Sequence, residues 1–89
     1  MKDRPLTIAY LEDDLTQAKM VIGWFEEFGY AYEHFTRAQA LLSRLKDQSF
    51  DIALLDWELP EMSGLEAIKL IRSKFHQNLP IIFCSLRNA

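Results

Sequence analysis

Oxygen-bearing side chains follow three short apolar runs of this chain. Glu12 and Asp13 come directly after the run LTIAYL, Asp56 ends the run FDIALLD, and Ser85 follows IIFC. If these runs are strands of one parallel sheet, their carboxyl ends all point the same way. Side chains that are far apart in the sequence would then meet at one edge of the sheet.

Three carboxylates gathered at one edge repel one another, and the repulsion raises the pKa of at least one of them unless a cation intervenes. Hard oxygen ligands in a water-accessible site suit Mg²⁺, which usually takes one or two carboxylates together with phosphate oxygens. The same ion would neutralise charge on an incoming phosphoryl group. The placement of Glu12, Asp13 and Asp56 therefore suits phosphoryl transfer with Mg²⁺.

Each of these residues also has a simpler explanation. An acid between a strand and a helix can act only on the dipole of that helix, where it contributes about 0.3–1 kcal/mol. This explains Glu12 and Asp13, judged singly, as well as a site does, and it is the preferred interpretation of Asp14. Asp56 alone could begin an Asx-turn, and Ser85 alone could simply end a strand. Their joint placement at strand ends favours the site.

The segments that must position these residues alternate between strand and helix. The apolar pattern predicts strands at 6–11, 30–35, 50–56 and 79–85, with helices at 15–28, after Thr36 and at 65–75. Nearly continuous apolar strands indicate burial on both faces, and helices between them imply right-handed crossovers. The fold class is therefore α/β, an open doubly wound parallel sheet of about four strands and three helices.

Capping signals and apolar stripes define these helices. Asp14 with Gln17, and Thr36 with Gln39, have the spacing of capping boxes, and Gly29 suits a C-terminal cap. Residues at helical spacing are predicted to face inward. In the first helix they are Leu15, Ala18, Ile22 and Phe25, flanked by Val21 and Phe28; in the second, Ala38, Leu41, Leu42 and Leu45; in the third, Leu65, Ile68, Ile71 and Phe75.

Composition limits the remaining possibilities. The 89 residues allow one domain at most, and a net charge of −3 gives no electrostatic reason to bind nucleic acid or an anionic membrane. No apolar run approaches the roughly 20 residues that span a bilayer, and no signal-peptide core follows the N-terminus. The single cysteine, Cys84, excludes an internal disulfide. We therefore expect a cytoplasmic location.

The two histidines show no metal-binding pattern. Neither His34 nor His76 has a metal-ligand neighbour three or four residues further on. The predicted topology also places both far from the acids, so we expect structural or solvent-exposed roles for them.

These segments together resemble the receiver domains of two-component response regulators. YLEDDLTQA resembles the first strand and acidic pair of that family, and LPIIFCS resembles its fourth strand. DIALLDWELPEMSGLE resembles its phosphorylation loop, in which Pro and Gly follow the acceptor aspartate at set offsets. The resemblance covers the whole chain in the right order, and the Asp-x-x-x-Pro-x-x-x-Gly loop after an apolar strand is specific.

The resemblance implies a flavodoxin-like fold and a phosphoacceptor rather than an enzyme. Asp56 would take a phosphoryl group from a phosphohistidine on a sensor histidine kinase or a phosphotransfer protein. Asp13 and Asp56 would ligate Mg²⁺, with Glu12 helping through water and the Glu58 backbone carbonyl as a further ligand. The Ser85 hydroxyl would turn toward the phosphoryl oxygens and report phosphorylation.

The family pattern has five strands and five helices, whereas this chain stops four residues after Ser85. We therefore expect residues 1–89 to be the N-terminal portion of a receiver domain, without the lysine that ends the fifth strand, and its phosphorylation to be impaired. Met20 and Trp24 lie beside the inward stripe of the first helix. Exposed apolar surface of this kind favours self-association of the fragment.

Three alternatives to a phosphoacceptor are weighed. A receiver-like interaction module that no longer takes phosphate would work through protein contacts alone. A phosphatase of the haloacid-dehalogenase type needs Asp-x-Asp-x-Thr/Val, whereas this chain has Asp56-Trp57-Glu58-Leu59. Flavin binding as in flavodoxins needs a loop rich in Ser, Thr and Gly after the first strand, where the acids at 12–14 would repel the phosphate.

Overall fold

A computed structural model describes residues 6–57, 59, 62–74 and 78–84 of the chain. Strands and helices alternate along these residues. The strands are β1 (Thr7–Leu11), β2 (Ala31–Phe35), β3 (Ile52–Asp56) and β4 (Ile81–Cys84), and the helices are α1 (Leu15–Glu27), α2 (Ala38–Arg44) and α3 (Gly64–Lys74). The α/β fold class is confirmed, and the described element ends lie within two residues of the predicted ones.

The four strands form one parallel sheet in the spatial order β2-β1-β3-β4. The chain passes from β1 outward to β2 and then returns to the other side of β1 to form β3. Strand order therefore reverses between β1 and β3. In open α/β sheets this switch point, at the carboxyl ends of the strands, is where ligands bind.

Both faces of the sheet are covered by helices, which is why β1, β3 and β4 are apolar almost throughout, whereas the edge strand β2 also contains Glu33 and His34. The buried residues on the face toward α2 and α3 are Ala9, Leu11, Phe35, Ala38, Leu41, Leu45, Ala53, Leu55, Ala67, Ile71 and Leu79. The buried residues on the face toward α1 are Ile8, Tyr10, Ala18, Val21 and Phe25. Since a slip of one residue would exchange the two faces, this alternation fixes the register of the strands.

The N-terminus of α1 is capped as predicted. The Asp14 carboxylate accepts hydrogen bonds from the backbone N–H groups of Thr16 and Gln17 at 2.9 and 3.2 Å. The reciprocal half of the capping box is different: the Asp14 backbone N–H donates to Glu12 Oε2 at 3.0 Å, and the Gln17 side chain donates to the Asp14 carboxylate. At the other end of α1, Gly29 has a φ of +76° and provides the left-handed residue that ends the helix.

The capping box predicted for α2 is wrong, and one at α3 was missed. The backbone is still extended at Arg37, with φ −133° and ψ 140°, so Arg37 is the N-cap residue of α2. Its side chain makes no capping hydrogen bond. Thr36 therefore lies one residue too early. At α3, Ser63 Oγ accepts from the Glu66 N–H at 3.1 Å, and the Ser63 N–H donates to Glu66 Oε1 at 3.0 Å. This Ser-x-x-Glu spacing was present in the sequence.

The predicted inward stripes are correct for α2 and partly wrong for α1 and α3. Leu15, Phe28 and Leu65 are 66%, 67% and 52% exposed, whereas Ala67, which was not in the predicted set, is 2% exposed. Leu15 and Leu65 belong to the first turns of their helices, beside the loops that lead out of the sheet, and Phe28 lies after the last turn of α1. Phe75 lies outside the described residues.

Candidate metal centre

The carboxylates of Glu12, Asp13 and Asp56 converge at the carboxyl edge of the sheet. One oxygen from each side chain lies within 4.8 Å of the others. Glu12 and Asp13 follow β1, Asp56 is the last residue of β3, and the two strands are adjacent, with Leu11 opposite Leu55. The strand register thus brings the acids together at the switch point.

Burial makes this cluster electrostatically demanding. Glu12 is 2% exposed and Asp56 is 1% exposed, whereas Asp13 is only partly buried. Carboxylates at this separation repel one another, and burial removes the water that would screen the repulsion. The donor set consists of hard carboxylate oxygens, with Asp13 on the more exposed side. These donors fit Mg²⁺, which prefers oxygen ligands and retains several waters.

Glu12 is held through its backbone and its side chain. Its backbone N–H donates to the Phe35 carbonyl at 2.9 Å, and its own carbonyl lies 2.8 Å from His34 Nε2. Its carboxylate accepts from the Asp14 N–H at 3.0 Å. These contacts tie the segment after β1 to the end of β2 and to the start of α1, so the position of Glu12 is well defined.

The prediction that His34 lies far from the acids is wrong. His34 pairs with Tyr10 in the β1–β2 register, and its ring stacks on the Tyr10 ring at a centroid distance of 5.4 Å. From there it reaches Glu12, two residues beyond Tyr10. The sequence indicates the contact between His34 and Glu12 only after the ends of the predicted strands 6–11 and 30–35 have been aligned. His76 lies outside the described residues.

Two side chains of the neighbouring strands, the Cys84 thiol and the Tyr10 phenol, have raised pKa values because of their burial and of the charge of this cluster. Burial, followed by the charges of Glu12 and Asp56, raises the pKa of the Cys84 thiol. Burial and then the Glu12 charge raise the pKa of the Tyr10 phenol as well. Both groups stay protonated near neutral pH, so neither adds further negative charge. The three carboxylates contribute a negative field at this edge of the sheet, and such a field favours a cation.

The segment after Asp56 is fastened to α3 and β4. The Trp57 carbonyl accepts from the Gly64 N–H at 2.8 Å, and the Trp57 ring lies edge-on to Phe83 with centroids 4.6 Å apart. A Cβ atom on Gly64 would overlap the Phe83 ring, so the close approach of α3 to β4 requires glycine there. Glu58 and Ser85, the predicted carbonyl ligand and phosphate-sensing hydroxyl, lie outside the described residues.

Within the part of the chain that the structure describes, none of the helices combines the length and the apolar character that crossing a membrane requires.

The sequence of this chain is similar to parts of longer bacterial proteins. The chain is 34% identical over 76 residues to the transcriptional regulatory protein CrdR of Helicobacter pylori, covering 85% of this chain and 36% of CrdR. It is 30% identical over 80 residues to the autoinducer 2 sensor kinase/phosphatase LuxQ of Vibrio vulnificus, covering 90% of this chain and 9% of LuxQ. The chain therefore spans about a third or less of the length of these relatives.

Solved structures have the same fold. The receiver domain of the sensor histidine kinase PA1611 from Pseudomonas aeruginosa, which has a magnesium ion coordinated in its active site cleft, superposes with a TM-score of 0.84 at 22% identity, covering 91% of this chain and 67% of that one. The response regulator TrrA from Thermotoga maritima, in complex with Mg²⁺ and BeF, gives 0.80 at 26% identity, covering 88% and 67%. The family model of the response regulator receiver domain matches residues 8–89, and this chain belongs to that family of two-component signalling domains.

Proposed function

We propose that this chain is a phosphoacceptor receiver domain that takes a phosphoryl group onto Asp56, with Mg²⁺, from a sensor histidine kinase or a phosphotransfer protein. The observation that carries the proposal is the convergence of Glu12, Asp13 and Asp56 within 4.8 Å at the switch point between β1 and β3. The kinship with LuxQ, a sensor kinase, and with TrrA, which was solved with Mg²⁺ and BeF, supports it.

The residues have distinct roles in this proposal. Asp13 and Asp56 would ligate Mg²⁺, the Glu58 backbone carbonyl would be a further ligand, and Glu12 would help to hold the ion through water. When bound, the ion would supply positive charge that offsets the charge of the carboxylates and of the incoming phosphoryl group. The buried position of Glu12, together with its hydrogen bonds to β2 and α1, holds its carboxylate at the site.

Asp56 acts as the nucleophile. One of its carboxylate oxygens forms a bond to phosphorus as the P–N bond of the donor phosphohistidine breaks, and the imidazole nitrogen keeps the electron pair of that bond. The product is an aspartyl phosphate. Because Asp56 ends a strand that pairs with both β1 and β4, its backbone position at the carboxyl edge of the sheet is fixed. The Ser85 hydroxyl then turns to the phosphoryl oxygens and reports the modification.

We also propose that residues 1–89 are the N-terminal portion of the receiver domain and work in the cytoplasm, without direct contact to nucleic acid. The net charge of −3 and the single thiol are consistent with this. The alternative, an interaction module that no longer takes phosphate, has no need for three converging acids at a switch point. The geometry therefore favours the phosphoacceptor.

The test uses the intrinsic fluorescence of Trp57, which is 50% exposed and adjacent to Asp56. A Trp24→Phe background makes Trp57 the only tryptophan. Mg²⁺ is titrated first, followed by beryllofluoride up to high concentration in the presence of Mg²⁺, and both should give saturable changes in emission. The expected impairment of phosphorylation would show as a weak affinity for beryllofluoride. Asp56→Asn should abolish the beryllofluoride response, and Asp13→Asn should weaken the Mg²⁺ response.

Asp47→Asn is the matched control, because Asp47 is an exposed acid paired with Arg44 on the surface. It should leave both titrations unchanged. A folded parent protein that shows no beryllofluoride response at saturating Mg²⁺ would contradict the phosphoacceptor and support the interaction module.

Self-association of the chain is the last part of the proposal. Met20 and Trp24 on α1 are each 47% exposed, and Ile82 on β4 is 50% exposed. Apolar surface of this kind favours contacts between copies. Light scattering over a concentration series should show a mass that rises with concentration, and a monodisperse monomer at high concentration would contradict this part alone.

A further inference from the structure

We propose that His34 is a positioning residue of the metal centre: by donating from Nε2 to the Glu12 carbonyl, it fixes the segment that presents Glu12 and Asp13 to Mg²⁺. This inference rests on the proposed function, since it assigns a further residue to the same site.

The contact lies where the β1–β2 ladder ends. The last backbone bond of the ladder runs from the Glu12 N–H to the Phe35 carbonyl at 2.9 Å. In a continued parallel ladder, the Arg37 N–H would donate next, to the Glu12 carbonyl. Arg37 is instead the N-cap residue of α2, where the chain has left the sheet. The His34 side chain supplies a donor to that carbonyl at 2.8 Å.

This extra bond acts on the peptide group that joins the two acids. The Glu12 carbonyl belongs to the planar peptide unit between Glu12 and Asp13, so holding its oxygen restricts the rotation that would move Asp13. The ladder bond to Phe35 fixes only the preceding peptide. Through His34, β2 therefore fixes the segment that carries Asp13, the partly exposed acid, as well as strand β1.

The imidazole is itself well supported. Its ring stacks on Tyr10 at 5.4 Å and 30°, and Tyr10 is 1% exposed and in edge-on contact with Phe25 at 5.5 Å. Because a carbonyl oxygen has no proton to give, Nε2 must be the protonated nitrogen. A rigid ring with a defined tautomer makes a precise donor.

Partners of this kind govern how well a metal site is organised, and their removal typically weakens metal binding by about tenfold or more. The rest of the β1–β2 register, from Thr7 opposite Ala31 to Leu11 opposite Phe35, does not depend on the His34 ring nitrogen. We therefore expect loss of the donor to affect Mg²⁺ affinity more than the integrity of the sheet.

The experiment compares the parent protein with three variants, all in the Trp24→Phe background, by Mg²⁺ titration and by urea unfolding. His34→Phe keeps a ring on Tyr10 and removes the donor, whereas His34→Gln offers an amide donor instead. Tyr32→Phe is the matched control, because it removes a hydrogen bond from the same strand, between the Tyr32 hydroxyl and Glu26 at 2.8 Å, away from the site.

The dissociation constant for Mg²⁺ should rise about tenfold in His34→Phe, return to within about threefold of the parent in His34→Gln, and stay unchanged in Tyr32→Phe. An unchanged constant in His34→Phe, or no recovery in His34→Gln, overturns the inference and leaves the proposed function intact. A folded parent that does not respond to Mg²⁺ overturns the proposed function and this inference with it.

A measurement on the unmutated chain covers the case in which His34→Phe fails to fold. Long-range proton–nitrogen NMR spectra should show the His34 ring protonated at Nε2, with ring resonances that shift when Mg²⁺ is added. The inference is overturned if the His34 ring carries no proton at Nε2, or if its resonances do not shift when Mg²⁺ is added.

Discussion

Asp56, the last residue of β3, lies directly opposite Cys84, the last residue of β4, in the parallel register. The thiol is partly buried, and its pKa is raised by burial first and by the charges of Glu12 and Asp56 after that. Cys84 therefore experiences the charge of the acidic cluster from a neighbouring strand, and its chemistry can report on that charge.

Alkylation of Cys84 should be slow. The thiolate is the reactive form, and a raised pKa leaves little of it at pH 8. Iodoacetamide should therefore modify the folded protein more slowly than free cysteine, with a rate that rises only at higher pH. The urea-unfolded chain is the control and should react at the rate of free cysteine. Equal rates for the folded and unfolded chains would contradict the raised pKa.

Stability should decrease at alkaline pH. Below the ordinary pKa of cysteine, both the folded and the unfolded chain keep the thiol proton, and its contribution to stability is fully present. Above about pH 9 the unfolded chain releases that proton first, so the free energy of unfolding falls as pH rises toward the folded pKa. Tyr10 acts in the same direction from its own higher value. Urea unfolding at pH 8 and pH 10 measures the loss, and Cys84→Ala should show a smaller one.

Neutralising one acid of the cluster should stabilise the protein when Mg²⁺ is absent. Asp56→Asn removes one of three mutually repelling charges from a position that is 1% exposed. We expect a gain of about 1–2 kcal/mol, because like charges roughly 4 Å apart repel by about 1 kcal/mol even at the dielectric constant of water, and by more when they are buried. Urea unfolding in EDTA measures the gain, and Asp47→Asn should give almost none. A less stable Asp56→Asn protein would show that repulsion does not dominate.

The convergence of Glu12, Asp13 and Asp56 could be predicted from the sequence because it depends on few assumptions. An apolar strand that ends in an acid fixes where that acid lies along the sheet, and parallel strands share their carboxyl edge. Neither step requires knowledge of a single side-chain contact. The fold class followed from the same alternation of short apolar runs and longer amphipathic ones.

Details that depend on local backbone angles or on register were less accessible. Thr36 has the composition of an N-cap but lies one residue before the position where the backbone turns. Leu15 and Leu65 satisfy helical periodicity, yet the first turn of a helix does not have to cover the sheet. His34 acquires its partner only through the pairing of Tyr10 with it across two strands. No pattern within one segment contains that information.

The cap of α1 should contribute measurably to stability. The Asp14 carboxylate accepts from two backbone N–H groups, those of Thr16 and Gln17. Asp14→Ala should lower the free energy of unfolding by about 1 kcal/mol, whereas Asp14→Asn, which keeps an accepting oxygen, should change it little. The hydrogen bond from the residue 14 N–H to Glu12 uses the backbone and survives both changes. Equal losses in both variants would contradict the capping role.

Replacing glycine by alanine should raise the free energy of unfolding at position 23 and lower it at position 64. A Cβ on Gly64 would overlap the ring of Phe83, which packs against the core and the Trp57 ring, whereas a Cβ on Gly23 would meet nothing within 4 Å. Gly23→Ala should therefore stabilise the protein by about 0.5–1 kcal/mol, because alanine favours the interior of a helix.

At Gly64 the overlap should outweigh this gain, since forcing an extra methyl group into a packed site costs about 1–3 kcal/mol. Urea unfolding of Gly64→Ala should show a net loss of stability, and Trp57 emission should change because its ring contact with Phe83 is displaced. The emission of Gly23→Ala in the Trp24→Phe background should stay that of the parent. Stabilisation by both substitutions would mean that Phe83 moves aside freely and that α3 does not require glycine next to β4.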